Sequence, residues 1–135
     1  MIQLQQEKID VTLVEQQVQS PECGAVLVFV GRTREHFAGK KVLELHYEAY
    51  APMAIKEMQR IKDQIQERWP QTNVAMVHRL GTVNITEASV VIAVSTPHRS
   101  DCYEASRYAI DTLKETVPIW KKEIYEDGSK WKENQ

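Results

Sequence analysis

Two lysines on either side of a proline are the residues of this sequence best suited to carry out chemistry. Lys114 and Lys121 are seven positions apart, with Pro118 between them. Because proline lacks a backbone N–H and disfavours helical angles in the preceding residue, we predict Lys114 near a helix end and Lys121 at the start of an extended segment. Two ammonium groups in one cleft suit an anionic substrate, and their proximity lowers the pKa of at least one. The alternative is a solvated helix tail whose lysines interact with the helix dipole.

Two further cationic pairs occur at the ends of apolar segments. Arg32 and Arg34 follow an apolar strand at its carboxyl end, where ligand-binding loops cluster in many folds. His98 and Arg99 precede a predicted helix that Ser100 can cap, and a helix N-terminus facing a cleft can bind phosphate or carboxylate. The alternative for both pairs is a solvated charged loop. Together with the lysines, the pairs predict a basic, anion-binding pocket in a protein whose net charge is −2.

The cysteines and histidines do not have the spacing of a metal site. Cys23 and Cys102 lack a CxxC partner, and the four histidines lack a spacing such as HxxxH. We therefore expect neither a metal nor a cofactor. Cys102 could be a nucleophile, but a packed thiol is the stronger interpretation. His78 is in phase with the apolar residues of a predicted strand, which indicates a hydrogen-bonded core histidine.

The composition is typical of a globular protein and narrows the function classes. The 135 residues fit a single domain, residues 1–135, with a sizeable core. The slightly negative charge argues against a general nucleic-acid binder. The sequence contains neither a stretch long enough to span a membrane nor the apolar run of a signal peptide. We therefore expect a cytoplasmic protein that binds neither nucleic acid nor a membrane.

The spacing of apolar residues predicts three helices and five strands. Asp10 can cap the first helix, and Pro52 suits the first turn of the second. Segment 32–41 is predicted as an exposed, mobile loop, and 122–126 as a short edge strand. The predicted order is a helix at 10–20, strands at 24–31 and 43–50, a helix at 52–69, strands at 74–80 and 89–95, a helix from 100 that ends before Pro118, and the strand at 122–126. This order predicts an α+β fold with a sheet on one side and helices on the other.

Five short motifs occur in an order and at spacings typical of one protein family. From about Gly24 to Trp131, the chain resembles the large, catalytic subunit of molybdopterin synthase. Any one motif would be weak evidence, whereas five in order are specific. They are Phe29–Arg34 (FVGRTR), Leu45–Tyr50 (LHYEAY), Val77–Gly81 (VHRLG), Pro97–Ser100 (PHRS), and Leu113–Lys114 with Pro118–Lys121 (LK and PIWK).

The resemblance implies a sulfurtransferase of molybdenum cofactor biosynthesis. Its substrate would be cyclic pyranopterin monophosphate, which two sulfur transfers convert to molybdopterin. The sulfur would come from a thiocarboxylate on the C-terminal Gly-Gly of a small ubiquitin-like subunit. A homodimer with one small subunit at each end would form a heterotetramer. The implied fold is of the α/β hammerhead type with an added antiparallel β-sheet subdomain, which agrees with the α+β prediction.

The resemblance also implies a set of site residues. The two catalytic lysines of the family correspond to Lys114 and Lys121. The family often continues past Trp131 with a basic tail, and contacts from such a tail are not assigned, since the sequence stops at Gln135. The substrate-binding residues correspond to Arg32, Thr33, Arg34, His98, Arg99, Lys114, Lys121, Lys122 and Glu123.

Two other functions are compatible with these patterns. One is a non-catalytic scaffold that docks the ubiquitin-like tail, although Lys114 and Lys121 argue for an enzyme. The other is an unrelated α+β domain that senses a phosphorylated metabolite. In the enzyme, we expect the partner's tail to run along the predicted edge strand 122–126 and to meet Lys121.

Overall fold

The computed structural model describes residues 1–37 and 39–132. Its helices are separated from one another by groups of strands. They are β1 (Ile2–Gln5), α1 (Val11–Gln16), β2 (Ala25–Arg32), β3 (His36–Phe37), β4 (Lys40–Ala49), α2 (Ala51–Arg68), β5 (Asn73–Arg79), β6 (Gly81–Asn84), β7 (Ala88–Thr96), α3 (Arg99–Thr116), β8 (Ile119–Tyr125) and β9 (Gly128–Lys132).

These strands form two sheets. The first has the order β1-β5-β7-β2, in which β1 is parallel to β5 and the other pairs are antiparallel. The second has the order β3-β4-β8-β9, and β6 also pairs with β4. The α+β prediction and the second, antiparallel sheet are confirmed, whereas the hammerhead-type arrangement stays a prediction.

Helices cover both faces of the first sheet. On one face, α2 and α3 contribute Met58, Ile61 and Leu113 to a core that includes Ile92 of β7. On the opposite face, α1 and the residues after it pack Val14 and Val18 against other side chains of β5 and β7. The prediction that helices lie on one side only is therefore wrong. Coverage of both faces explains why β7 is buried along its whole length.

The helix starts match the predictions only in part. Asp10 caps α1 by accepting a hydrogen bond from the backbone N–H of Leu13. The predicted cap at Ser100 is wrong, because α3 begins at Arg99 and its N-cap residue is His98. Ser100 therefore lies inside the first turn. None of the helices among the described residues is long and apolar enough to cross a membrane.

A β-bulge changes which side chains of β4 are buried. Alternation predicts Leu43, Leu45 and Tyr47 on one buried face. In the structure Val42 is buried and Leu43 is exposed, because the pairing of β4 with β8 shifts between Val42 and Glu44. Beyond the bulge, Leu45 and Tyr47 are buried as predicted.

The second sheet extends beyond the predicted strands in two places. Part of the predicted loop 32–41 forms β3 and the start of β4, with His36 paired to Lys41. The strand predicted at 122–126 is confirmed as part of β8, but its predicted edge position is wrong, because β8 pairs with β4 on one side and with β9 on the other. The sequence of β9, Gly-Ser-Lys-Trp-Lys, lacks the apolar alternation that predicts a strand. The short strands β1 and β6 were also not predicted.

Candidate active site

A cavity of about 240 Å³ gathers four of the predicted cationic residues. Arg32 and Arg34 enter it from the end of β2, Lys114 from α3 and Lys121 from β8. Glu123 of β8 also lines the cavity, and its carboxyl group is the acidic one among the lining residues. Four cationic groups around one cavity suit an anionic ligand.

The chain around Pro118 positions the two lysines as predicted. Lys114 lies in the last turn of α3, and the helix ends at Val117, whose N–H donates to Leu113 O. The chain then turns into β8, which begins at Ile119. Lys121 is the third residue of that strand. A helix end and a strand start therefore direct both lysines into one cavity.

Burial, together with nearby positive charges, lowers the pKa of Lys114. The largest cause is the loss of water around its ammonium group, followed by the positive charges of Lys121 and Arg34. The expectation of a lowered pKa for at least one of the two lysines is confirmed, although burial contributes more than their mutual repulsion. A lowered pKa increases the neutral fraction of Lys114, which suits proton transfer.

Lys121 has a different environment from Lys114. Its Nζ lies 3.4 Å from Glu123 Oε1, and Glu123 is a buried residue. The hydroxyl of Tyr125 donates a hydrogen bond to the other carboxylate oxygen, Oε2. This hydrogen bond is the first cause that raises the pKa of Tyr125, to about 12. The carboxylate therefore has a separate donor on each oxygen.

Tyr47 lines the cavity, and the buried His78 packs against it. Burial, and to a lesser degree the negative charge of Glu123, raise the pKa of Tyr47, while a hydrogen bond with Ser89 lowers it. The rings of Tyr47 and His78 meet edge to face, with centroids 5.0 Å apart. His78 Nδ1 lies 2.8 Å from the carbonyl oxygen of Arg79. The prediction of a hydrogen-bonded core histidine is confirmed.

The segment after β2 contributes less to the cavity than its sequence suggests. Arg34 lines the cavity, and so does Arg32, whose Nη1 donates to Thr86 O at 2.8 Å. Thr33 is buried outside the cavity, and its Oγ1 has no hydrogen-bond partner among the described residues. The backbone of Thr33 bonds to the turn that carries Thr86 and Glu87. Thr33 therefore joins the loop to that turn and does not reach the cavity.

Three other predicted site residues lie away from the cavity of the same chain. His98 and Arg99 are at the start of α3, whereas Lys114 is in its last turn, about 22 Å away at the helical rise of 1.5 Å per residue. Lys122 lies on the opposite face of β8, where it lines a separate depression with Glu44 and His46.

Two tyrosines belong to the site although the sequence reasoning missed them. Tyr47 lines the cavity, and Tyr125 lies behind it, bonded to Glu123. Strand alternation could have found Tyr125, because it is in phase with Lys121 and Glu123 on β8. Tyr47 pairs with Lys121 across the β4–β8 ladder, which required knowledge of the strand pairing.

Neither cysteine lines the cavity. Cys102 is fully buried in α3, and its thiol lies 3.4 Å from Val94 O. Burial is the main cause that raises the pKa of this thiol. Cys23 is half-buried near Gln71, on another part of the surface. The packed-thiol interpretation of Cys102 is confirmed. Among residues 1–37 and 39–132, no His, Cys, Asp and Glu side chains group together as metal ligands.

Comparison with known proteins gives a consistent set of relatives. A family model described as MoaE protein matches residues 4–116. Molybdopterin synthase catalytic subunits are similar to the chain: that of Taeniopygia guttata is 56% identical over 135 residues, which is 99% of this chain and 87% of the relative. That of Halalkalibacterium halodurans is 53% identical over 128 residues, 95% of this chain and 82% of the relative. Both matches extend past residue 116 and so include the position of Lys121.

Solved structures agree with these sequence matches. The crystal structure of molybdopterin synthase from Staphylococcus aureus is 49% identical, with a TM-score of 0.92 over 96% of this chain and 94% of that one. A complex of subunits 1 and 2 of molybdopterin-converting factor from Helicobacter pylori has a TM-score of 0.81 over 97% of this chain and 90% of that one. At 19% identity, the second likeness concerns the fold alone.

Proposed function

The chain belongs to the MoaE family, whose named relatives are molybdopterin synthase catalytic subunits, and on that premise we propose what its cavity does. We propose that the cavity accepts cyclic pyranopterin monophosphate and two sulfur atoms, and that molybdopterin forms there, in the cytoplasm. The observation that carries this proposal is the convergence of Lys114 and Lys121 on one cavity beside Arg34.

The two lysines suit complementary parts of sulfur transfer. When a thiocarboxylate sulfur attacks the substrate, the substrate loses an oxygen substituent that needs a proton, and negative charge develops on oxygen. Lys114, whose pKa is lowered, can exchange protons. Lys121, paired with Glu123, can stabilise the negative charge as an ammonium group. The attack leaves the sulfur joined both to the substrate and to the partner's terminal carbonyl carbon, as a thioester. Water then adds to that carbon and the carbon–sulfur bond breaks, which releases the partner as a carboxylate and leaves the sulfur on the substrate as a thiolate.

Arg32 and Arg34 are the candidates to hold the phosphate of the substrate. Guanidinium groups bind phosphate oxygens through two parallel hydrogen bonds. Both side chains line the cavity that holds the two lysines. We therefore assign phosphate binding to Arg32 and Arg34 together.

The roles proposed for His98 and Arg99 require a second copy of the chain. These residues lie about 22 Å from Lys114 within one chain, at the helical rise of 1.5 Å per residue. A homodimer in which α3 of one copy begins near the cavity of the other would bring them together. The cavity would then take its lysines from one copy and His98 and Arg99 from its partner.

The strand β2 offers a surface for such a dimer. It is the last strand of the first sheet and, among the described strands, pairs only with β7. Its Val26 and Phe29 side chains are 42% and 36% exposed. The start of β2 lies beside the start of α3, because Gly24 N donates to Pro97 O, whereas its end lies at the cavity. Antiparallel pairing of two β2 strands would therefore bring Arg99 of each copy toward the cavity of the other.

The sulfur donor in this proposal is a small ubiquitin-like subunit that ends in a Gly-Gly thiocarboxylate. Because glycine has no side chain, a Gly-Gly tail can enter a cavity of this size without steric conflict. The tail of this subunit cannot run along 122–126 as an edge strand, because β9 pairs with that side of β8. We propose that the tail enters the open mouth of the cavity directly, and that two small subunits bind one dimer as a heterotetramer.

Reconstitution with purified components tests the proposed function. The chain, a thiocarboxylated small subunit and cyclic pyranopterin monophosphate are mixed, and the dithiolene product is measured. We expect product from the native chain and almost none from Lys121→Ala, with light scattering giving the mass of a heterotetramer for both. Binding of the small subunit without product would favour the scaffold function instead. A chain that neither binds such a subunit nor forms product would contradict the proposal.

A further inference from the structure

The two oxygens of the Glu123 carboxylate have different donors at the base of the cavity. Oε1 is 3.4 Å from Lys121 Nζ, and Oε2 accepts a hydrogen bond from the Tyr125 hydroxyl. Glu123 is only 2% exposed. A carboxylate with so little access to water needs partners on both oxygens to remain ionised. The Tyr125 hydroxyl is therefore part of what keeps this charge in place.

The order of the three residues along β8 shows how Tyr125 can act. Lys121, Glu123 and Tyr125 occupy alternate positions, so their side chains share one face of the strand. The Lys121 side chain is 22% exposed at the cavity, whereas Tyr125 is 6% exposed and does not line it. A ligand in the cavity can contact Lys121 and Glu123 but not Tyr125. Any effect of Tyr125 on the reaction must pass through Glu123.

We propose that Tyr125 is a positioning residue for sulfur transfer: its hydroxyl fixes the Glu123 carboxylate, which in turn holds the Lys121 ammonium toward the substrate. The carboxylate torsion of a glutamate is broad and roughly two-fold, so a lone ion pair does not fix it. A second donor on the other oxygen restrains the rotation and stabilises the ionised form. This inference rests on the proposed function of the same cavity.

Tyr125 remains a donor under ordinary assay conditions. Its hydrogen bond to Glu123 is the first cause that raises the pKa of Tyr125, to about 12. The hydroxyl is therefore protonated throughout the neutral range. Lys40 Nζ lies 5.3 Å from the centroid of the Tyr125 ring, within the range of a cation–π contact.

The other ionisable groups around Glu123 come from several elements that border the cavity, whereas β7 contributes only Ser89 and Val90 to the lining. Tyr125→Phe removes only the Tyr125 hydroxyl and leaves all of these groups in place. A change in the titration of Glu123 can therefore be assigned to the loss of that hydroxyl. Besides Lys121 and Tyr125, they are Tyr47 of β4, Lys114 of α3, and Arg32 and Arg34 at the end of β2. On β9, the Cα of Lys130 pairs with that of Glu123.

The first test needs no turnover and compares Tyr125→Phe with the native chain. The carboxyl carbon of Glu123 is followed by ¹³C NMR as the pH is lowered, with Glu123→Gln to assign the signal. Loss of the donor destabilises the ionised form, so the carboxylate should gain its proton at a pH higher by about one unit. The matched control is Tyr108→Phe, which removes a hydroxyl bonded to Gln64 Oε1 outside the cavity. It should leave the titration unchanged.

The second test measures turnover in the reconstituted synthase. Tyr125→Phe should lower kcat about tenfold and leave KM within about twofold, because the hydroxyl does not touch the substrate. The acidic limb of the pH–rate profile should move to higher pH together with the Glu123 titration. In the Glu123→Leu background, Tyr125→Phe should have almost no further effect on kcat, since the carboxylate through which it acts is gone.

Several results would overturn the proposal. The first is a Glu123 titration in Tyr125→Phe that matches that of the native chain. The second is an equal fall of kcat on Tyr125→Phe substitution whether or not the Glu123 carboxylate is present. Lower thermal stability with unchanged kcat would mean that Tyr125 only supports the fold. If Tyr125→Phe does not fold, 3,5-difluorotyrosine at position 125 keeps the ring and makes a stronger donor, and the Glu123 titration should then move to lower pH. Absence of product from the native chain would contradict the proposed function, while the NMR titration would still decide the role of Tyr125.

Discussion

At the scale of single residues, Lys114 and Lys121 share a cavity but have different neighbours. Lys121 forms an ion pair with Glu123. Lys114 lies near the positive charges of Lys121 and Arg34 and, within residues 1–37 and 39–132, forms no ion pair. Burial is the largest cause that lowers the pKa of Lys114, and these positive charges add to it. The different neighbours indicate that the two side chains are not interchangeable in the reaction.

Alanine substitution tests the catalytic assignment of both lysines. Lys114→Ala and Lys121→Ala should each raise the reaction barrier by about 2–4 kcal/mol, because each removes a group that stabilises charge or moves a proton. Circular dichroism should show an intact fold. Lys56→Ala, on the exposed surface of α2, is the control and should keep native turnover. Near-native product formation by either cavity variant would remove that lysine from the mechanism.

The lowered pKa of Lys114 also predicts an effect on stability. Near neutral pH, the folded state holds the charged ammonium group of Lys114 in an unfavourable site. Lys114→Met should therefore raise the free energy of unfolding. The gain should be less than about 1 kcal/mol, because solvent screens the charges. This advantage should shrink as the pH rises and the native lysine loses its proton in both states. Urea denaturation at neutral and alkaline pH measures the difference. An advantage that grew with pH would contradict the sign of the shift.

At the scale of the elements, the sequence predicts apolar segments better than polar ones. The core strands β5 and β7 and the helix α2 are recognisable because their side chains face a buried interior. By contrast, β9 is polar and is stabilised by its ladder with β8, which no local pattern encodes. The same contrast between local and long-range information applies to the site. The positions of Lys114 and Lys121 could be predicted from the nearby Pro118, whereas the position of Tyr47 depends on how β4 pairs with β8.

Removal of β9 tests its role as the cover of β8. A chain that ends at Asp127 leaves one side of β8 without its partner strand. We expect a lower melting temperature, concentration-dependent association through the exposed edge, and reduced turnover, because the strand that carries Lys121 loses half of its ladder. A chain that ends at Lys132 retains β9 and serves as the control. Equal stability of the two truncated chains would show that β9 does not support the site.

At the scale of the whole molecule, the separation of Arg99 from the cavity that Lys121 lines allows a complementation test. Dimers of Arg99→Ala and of Lys121→Ala should each be nearly inactive. If a site combines residues of two copies, a mixed dimer has one doubly altered site and one native site. Random exchange of subunits should then restore about a quarter of native activity.

The control for this mixing experiment uses two variants on the same side of the proposed shared site. Lys114→Ala mixed with Lys121→Ala should restore nothing, because both residues line the cavity of one chain. Failure of the Arg99 and Lys121 mixture to regain activity, with subunit exchange verified by mass spectrometry, would contradict a site shared between copies.

The positions of the two cysteines determine how this protein should respond to thiol-blocking reagents. The chain has only Cys23 and Cys102, and neither lines the cavity. In the proposed reaction, we therefore expect the sulfur atom to pass directly from donor to acceptor, without a persulfide on a cysteine of this chain. To test this, the chain is treated with iodoacetamide, the excess reagent is removed, and the chain is mixed with its partner. The reagent should modify the half-buried Cys23 and not the buried Cys102. The treated chain should keep full activity. Inactivation in proportion to alkylation at Cys23 would instead reveal a sulfur relay on the protein itself.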